Sequence, residues 1–121
     1  MEKGIECVIE RELSFSKIAV RVLSVGEDYL IVLEGGDSPH IGGSVLAVPR
    51  PSLTGEGMSC TSSVINVSGH KDEELLRLLA EKKCMSSNRV TVCTGGFHKD
   101  GITGEQIKEV QRAAADIAES L

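Results

Sequence analysis

Apolar and polar residues alternate with a period of two along the first part of the chain. Ile5, Cys7 and Ile9 alternate with Glu6, Val8 and Glu10, the pattern of a strand with one dry face, and Glu12 continues the wet side. Lys17 to Val25 repeats the pattern, with Ile18, Val20 and Val22 set against Ala19 and Arg21. Gly26-Glu27-Asp28 is a polar break. Tyr29 to Leu33 is apolar at every position, as expected of a strand covered on both faces. The short breaks between these runs predict an antiparallel meander. Ser44 to Val48 is a fourth strand, stopped by Pro49-Arg50-Pro51. Met58 to Val67 is a fifth, with Cys60, Ser62 and Val64 on one face and Ser59, Thr61, Ser63 and Ile65 on the other.

From Ser68-Gly69-His70 the period changes to that of a helix. Asp72, Glu73 and Glu74 crowd its first turn, where acids favour the helix dipole. Leu75, Leu78 and Leu79, with Leu76 beside them, form an apolar stripe that fades at Ser86-Ser87-Asn88. Val90, Val92 and Cys93 make a sixth strand ending at Thr94-Gly95-Gly96, and Phe97 to Gly101 is a polar loop. Thr103 and Gln106 have the spacing of a capping box. Ile107, Val110, Ala114, Ile117 and Leu121 then follow in steps of three and four. Leu78 and Val110 are expected in the core, where a carboxylate would abolish folding.

The order of five strands, helix, strand, helix predicts one α/β domain of α+β type over residues 1–121. Its architecture is a mostly antiparallel six-stranded sheet with two helices packed on one face. The uncovered face carries enough Val and Ile to need a partner, so a homodimer is expected.

Composition narrows the partners. Aromatic content is 2%, supplied by Phe15, Tyr29 and Phe97, so the core is aliphatic and stacking platforms for single-stranded nucleic acid are scarce. A net charge of -5 argues against nucleic acid and anionic membranes. No apolar run is long enough for a membrane span, and the first dozen residues lack the basic start and apolar stretch of a signal peptide. A cytoplasmic protein is expected. Cys7, Cys60, Cys84 and Cys93 show no zinc-knuckle or Cys-x-x-Cys spacing and read as reduced, mostly buried thiols.

The candidate chemistry lies in loops. Gly35 to Gly43 holds four glycines together with Asp37, Pro39 and His40. All three histidines stand in glycine-containing loops, at His40, His70 and His98, each within three residues of an aspartate: Asp37, Asp72 and Asp100. Loops at one end of the sheet would form one polar pocket, with each aspartate able to fix a histidine tautomer. A phosphate would be held by N–H groups at Gly35, Gly36 and Gly42 and by the helix start, with Arg50 and Lys71 adding charge. The acids at Asp72, Glu73 and Glu74 oppose an anion there, so the glycine loops are the stronger candidate. A metal could instead take the three histidines, although spacings of 30 and 28 residues match no compact metal motif. Ser59 to Ser63 supplies hydroxyls, but no Gly-x-Ser-x-Gly elbow accompanies them.

The same loops carry a resemblance. Gly35 to Gly42 followed by Val45-Leu46-Ala47 and Pro49-Arg50-Pro51-Ser52, then Thr61 to Val64, Gly69 to Asp72 and Gly96 to Ile102, resembles the small D-type proteins of gallate and related hydroxyarylate decarboxylases. These are similar to prenylated-flavin chaperones of the LpdD type, whose fold resembles proteasome assembly chaperones. The resemblance implies a non-catalytic accessory protein that binds prenylated FMN or FMN and serves a UbiD-like decarboxylase. The expected binding residues are Gly35, Gly36, Asp37, His40, Gly42, Arg50, His70, Lys71 and His98. A small metal-dependent enzyme using the loop histidines and a ligand-free dimeric scaffold are the alternatives.

Overall fold

The computed structural model describes residues 5–67 and 72–121. Its elements are β1 (Ile5–Glu12), β2 (Lys17–Val25), β3 (Asp28–Gly36), β4 (Gly43–Pro51), β5 (Met58–Asn66), α1 (Glu73–Ser87), β6 (Thr91–His98) and α2 (Gly104–Glu119). The strands form one six-stranded sheet in the order β1-β2-β3-β6-β4-β5. Every neighbouring pair is antiparallel except β3 and β6, which run parallel. The fold is therefore α+β, mostly antiparallel, with both helices on one face. Among the described residues, no helix is long and apolar enough to cross a membrane.

The alternating residues decide which face is dry. Ile18, Val20, Val22, Ile31, Leu33, Val45, Ala47 and Cys93 are buried beneath the helices. Leu76, Leu79, Ala80 and Cys84 of α1 and Val110, Ala114 and Ile117 of α2 close the core from above. α1 lies across β4, β6 and β5, and α2 packs on α1 and β2. The Thr103–Gln106 capping box forms: Gln106 N–H donates to Thr103 Oγ1 at 3.1 Å, and Thr103 N–H donates to Gln106 Oε1 at 2.9 Å. From the β1–β2 loop, Ser14 donates from both N and Oγ to Glu109 of α2, at 2.6 and 2.7 Å, and holds that carboxyl below its usual range.

Burial pushes the Cys84 thiol up to about 11 and raises Cys60 and Cys93 as well. These three behave as small core hydrophobes, while Cys7 is exposed on β1. On β5, Ser62 belongs to a structural clip. Arg77 donates to Ser62 Oγ at 2.6 Å and to Glu73 at 2.7 Å, and Ser62 donates to Glu81 at 2.6 Å.

Two expectations change. First, Leu78 is 37% exposed and is not a core residue. Two positions from the fully buried Leu76, it is turned about 200° around the helix. Second, several residues read as loop belong to strands. Gly35 and Gly36 pair with Phe97 and His98 in the parallel ladder, so the β3–β4 loop narrows to Asp37–Gly42. Backbone pairing outweighs the local glycine signal, because buried N–H and C=O groups need partners.

Leu76→Ala is expected to lower unfolding free energy by about 2–5 kcal/mol in denaturant titrations, as for other fully buried leucines. Leu78→Asp is expected to fold with nearly unchanged midpoint. Equal destabilisation by the two substitutions would show that the α1 face is misplaced.

Candidate functional site

Three segments converge at the end of the sheet where β3 and β6 stop and β4 begins. Asp37 N–H donates to His98 O at 2.8 Å, and Gly42 N–H donates to Gly95 O at 2.8 Å, stitching the β3–β4 loop to β6. The rings of His40 and His98 meet edge to face, with centroids 5.6 Å apart. His98 Nε2 lies 3.0 Å from Asp100 Oδ1, the neighbour expected to orient it. Asp37 turns instead toward Lys99, with Nζ 3.8 Å from Oδ2.

The buried group between these segments is Asp72, only 5% exposed. It precedes α1, but its side chain does not cap that helix. Its Oδ1 accepts the Phe97 N–H at 2.8 Å, and its Oδ2 lies 3.4 Å from His40 Nε2. Asp72 thus serves His40 from the β3–β4 loop and the backbone of β6. Two glycines make room for the carboxylate. A Cβ on Gly42 would collide with Asp72 Oδ2, and one on Gly96 would stand 2.8 Å from both Asp72 Oδ2 and His40 Nε2. These glycines are required for close approach. The Gly42 N–H expected to meet a phosphate is already bonded to Gly95.

Beside this cluster a cavity of about 400 Å³ opens between α1, α2 and the end of β6. Leu75, Phe97, Ile102, Ile107 and Val110 form its apolar walls, and His98, Lys99 and Gln111 stand at its polar side. Phe97 is fixed by an edge-to-face contact with Phe15, centroids 6.0 Å apart.

Of the expected site residues, Gly35, Gly36, Asp37, His40, Gly42 and His98 gather at this end. His70 and Lys71 lie outside the described residues. Arg50 is not brought in. It sits seven residues along β4 from Gly43, roughly 23 Å away at the rise of an extended chain, and donates to Thr61 Oγ1 at 2.9 Å. Asp72, Phe97 and Lys99 were missing from the expected set. Asp72 resembled an ordinary first-turn acid, and the cavity wall comes from helical residues whose periodicity signals core. Among the described residues, no group of three or more His, Cys, Asp or Glu side chains is arranged to hold a metal ion. The site offers an aromatic and aliphatic cleft beside a histidine pair, one lysine and the carboxyls of Asp72 and Glu74, an arrangement that suits an amphipathic ligand.

The fold has a solved counterpart. The structure superposes on a chain from a chaperone complex for yeast 20S proteasome assembly with a TM-score of 0.53 and 15% identity, covering 94% of this chain and 92% of that one. At that identity the likeness establishes the shared fold. A search of curated proteins returned no match. The prenylated flavin chaperone LpdD-like domain matches residues 14–121, and the chain belongs to that family.

Gly42→Ala is expected to cost about 1–3 kcal/mol through overpacking against Asp72. Asp72→Ala is expected to cost a similar amount, by leaving the Phe97 N–H without its acceptor. In the double variant the clash disappears, so the combined loss is smaller than the sum in a denaturant-unfolding cycle. Strict additivity would show that the two residues do not touch.

Proposed function

We propose that this protein is a non-catalytic carrier of prenylated FMN that serves a UbiD-like hydroxyarylate decarboxylase of the gallate type. The family assignment supports a prenylated-flavin chaperone, and the juxtaposition of His40, Asp72 and His98 beside an amphipathic cavity carries the reading to this end of the sheet. An isoalloxazine ring needs apolar walls, and its phosphate needs a cation or hydrogen-bond donors. Leu75, Phe97, Ile107, Val110, His98 and Lys99 supply both kinds of group. Flavin supplies the redox-active ring system when bound; the protein's part is to bind it, orient it and release it. Free thiols are consistent with a reducing cytoplasmic compartment.

The protein acts as a homodimer in this reading. On the face away from the helices, Leu23, Leu30, Val92 and Leu46 stand opposite one another across β2, β3, β6 and β4. Leu46 is 41% and Val48 43% exposed on that face. A second copy would cover this apolar row.

After incubation with FMN or its prenylated form and desalting, the wild-type protein is expected to retain flavin absorbance. His40→Ala is expected to retain much less, with only a small change in melting temperature. Retention unchanged by His40→Ala would remove His40 from the site, and no retention of either flavin by the wild type would overturn the carrier reading. Light scattering is expected to give twice the 12.9 kDa chain mass for the wild type and the single-chain mass for Leu46→Lys. A monomeric wild type would refute the dimer.

A further inference from the structure

Resting on the flavin-carrier reading, we infer that the cleft between α1 and α2 is the subsite for the ligand's apolar ring system, and that Lys99 at its mouth meets the anionic end. The glycine-loop N–H groups are poor candidates for the anion. Those of Asp37 and Gly42 donate to His98 O and Gly95 O, and Gly35 and Gly36 lie within the strand ladder. Lys99 is the sole Lys or Arg among the described residues that line the cleft. Its present partner is Asp37, at 3.8 Å, with the Asp37 side chain 57% exposed. At 3.8 Å the pair is loose, and the Lys99 side chain is itself only 24% exposed, so a closer anionic partner within the cleft would gain a stronger, charge-assisted contact.

The cleft matches a ring system in size and chemistry. Its volume of about 400 Å³ lies in the range of small-molecule sites. Its walls come from three separate elements: Leu75 on α1, Phe97 on β6, and Ile107 and Val110 on α2, with Ile102 from the connecting loop. Ile107 is 43% exposed although it lies on the apolar stripe of α2. Neither helix covers it, and a hydrocarbon-bearing ring in the cleft would. Two carboxylates also border the cleft. Asp72 accepts the Phe97 N–H and stands 3.4 Å from His40 Nε2, and Glu74 is an exposed residue of the first turn of α1. The carboxylate paired with Lys99 is that of Asp37.

The test compares FMN with riboflavin, which lacks the phosphate, by quenching of flavin fluorescence. Ile107→Trp fills the cleft from an exposed position and is expected to weaken both ligands about tenfold or more. Ile107→Asp, which adds charge without bulk at the same site, is expected to do the same if the larger side chain perturbs folding. Lys99→Gln is expected to weaken FMN about tenfold while leaving riboflavin unchanged, the scale of one charge-assisted hydrogen bond. Wild-type affinity for FMN in both Ile107 variants overturns the ring subsite while the carrier reading stands, because flavin then binds elsewhere. Equal weakening of FMN and riboflavin by Lys99→Gln overturns the assignment of the anion to Lys99. Failure of the wild type to bind either probe or prenylated FMN overturns the carrier reading and this subsite with it.

Discussion

The buried carboxylate of Asp72 holds the functional end of the molecule together. A carboxyl group that far from water needs hydrogen-bond partners within the fold. Here the Phe97 N–H on β6 donates to Oδ1, and the imidazole of His40 from the β3–β4 loop stands 3.4 Å from Oδ2. The same residue begins α1, and its carbonyl accepts the Leu76 N–H at 3.1 Å. Through one side chain the start of a helix, the end of a central strand and a connecting loop are fixed in register. The cleft walls contributed by Leu75 and Phe97 lie immediately beside this junction. Gly42 and Gly96 are the steric counterpart of the arrangement, since any larger residue would displace the carboxylate.

Much of the fold was legible because alternation reports burial directly. Ile18, Val20 and Val22 on β2 and Cys60, Ser62 and Val64 on β5 share the faces their spacing implies. The spacing of Thr103 and Gln106 marked the start of α2, because a capping box is a local device. Leu78 misled because four leucines in five positions blur the stripe, and only packing reveals which of them face the sheet. The ends of β3 and β6 were hidden for another reason. Gly35, Gly36 and Gly95 carry the local signature of a turn, while their strand state depends on a partner some sixty residues away. At the site, proximity in sequence identified Asp100 as the neighbour of His98 but gave no sign that Asp72 stands beside the β3–β4 loop. Its neighbour there, His40, is 32 residues earlier and reaches it only through the tertiary fold. Arg50 lies at the far end of the strand whose start belongs to the site.

The parallel pairing of β3 with β6 has a kinetic consequence. β1, β2 and β3 form a meander, and β4 and β5 form a hairpin, so each group can pair through short loops. β6 is the last strand in the chain, yet it must enter between these two units after α1 has crossed the sheet. Closing such distant contacts requires loop entropy to be lost before any ladder bond is gained, which makes this the slow event of assembly. Phe97, His98 and Lys99 arrive with β6, and the stitching of Gly42 to Gly95 exists only once that strand is in place. Without β6 in place the meander and the hairpin are not joined in one sheet, and the cleft lacks Phe97, His98 and Lys99. The cleft therefore exists only once the last strand has been threaded into the middle of the sheet, so its presence reports that the topology is complete.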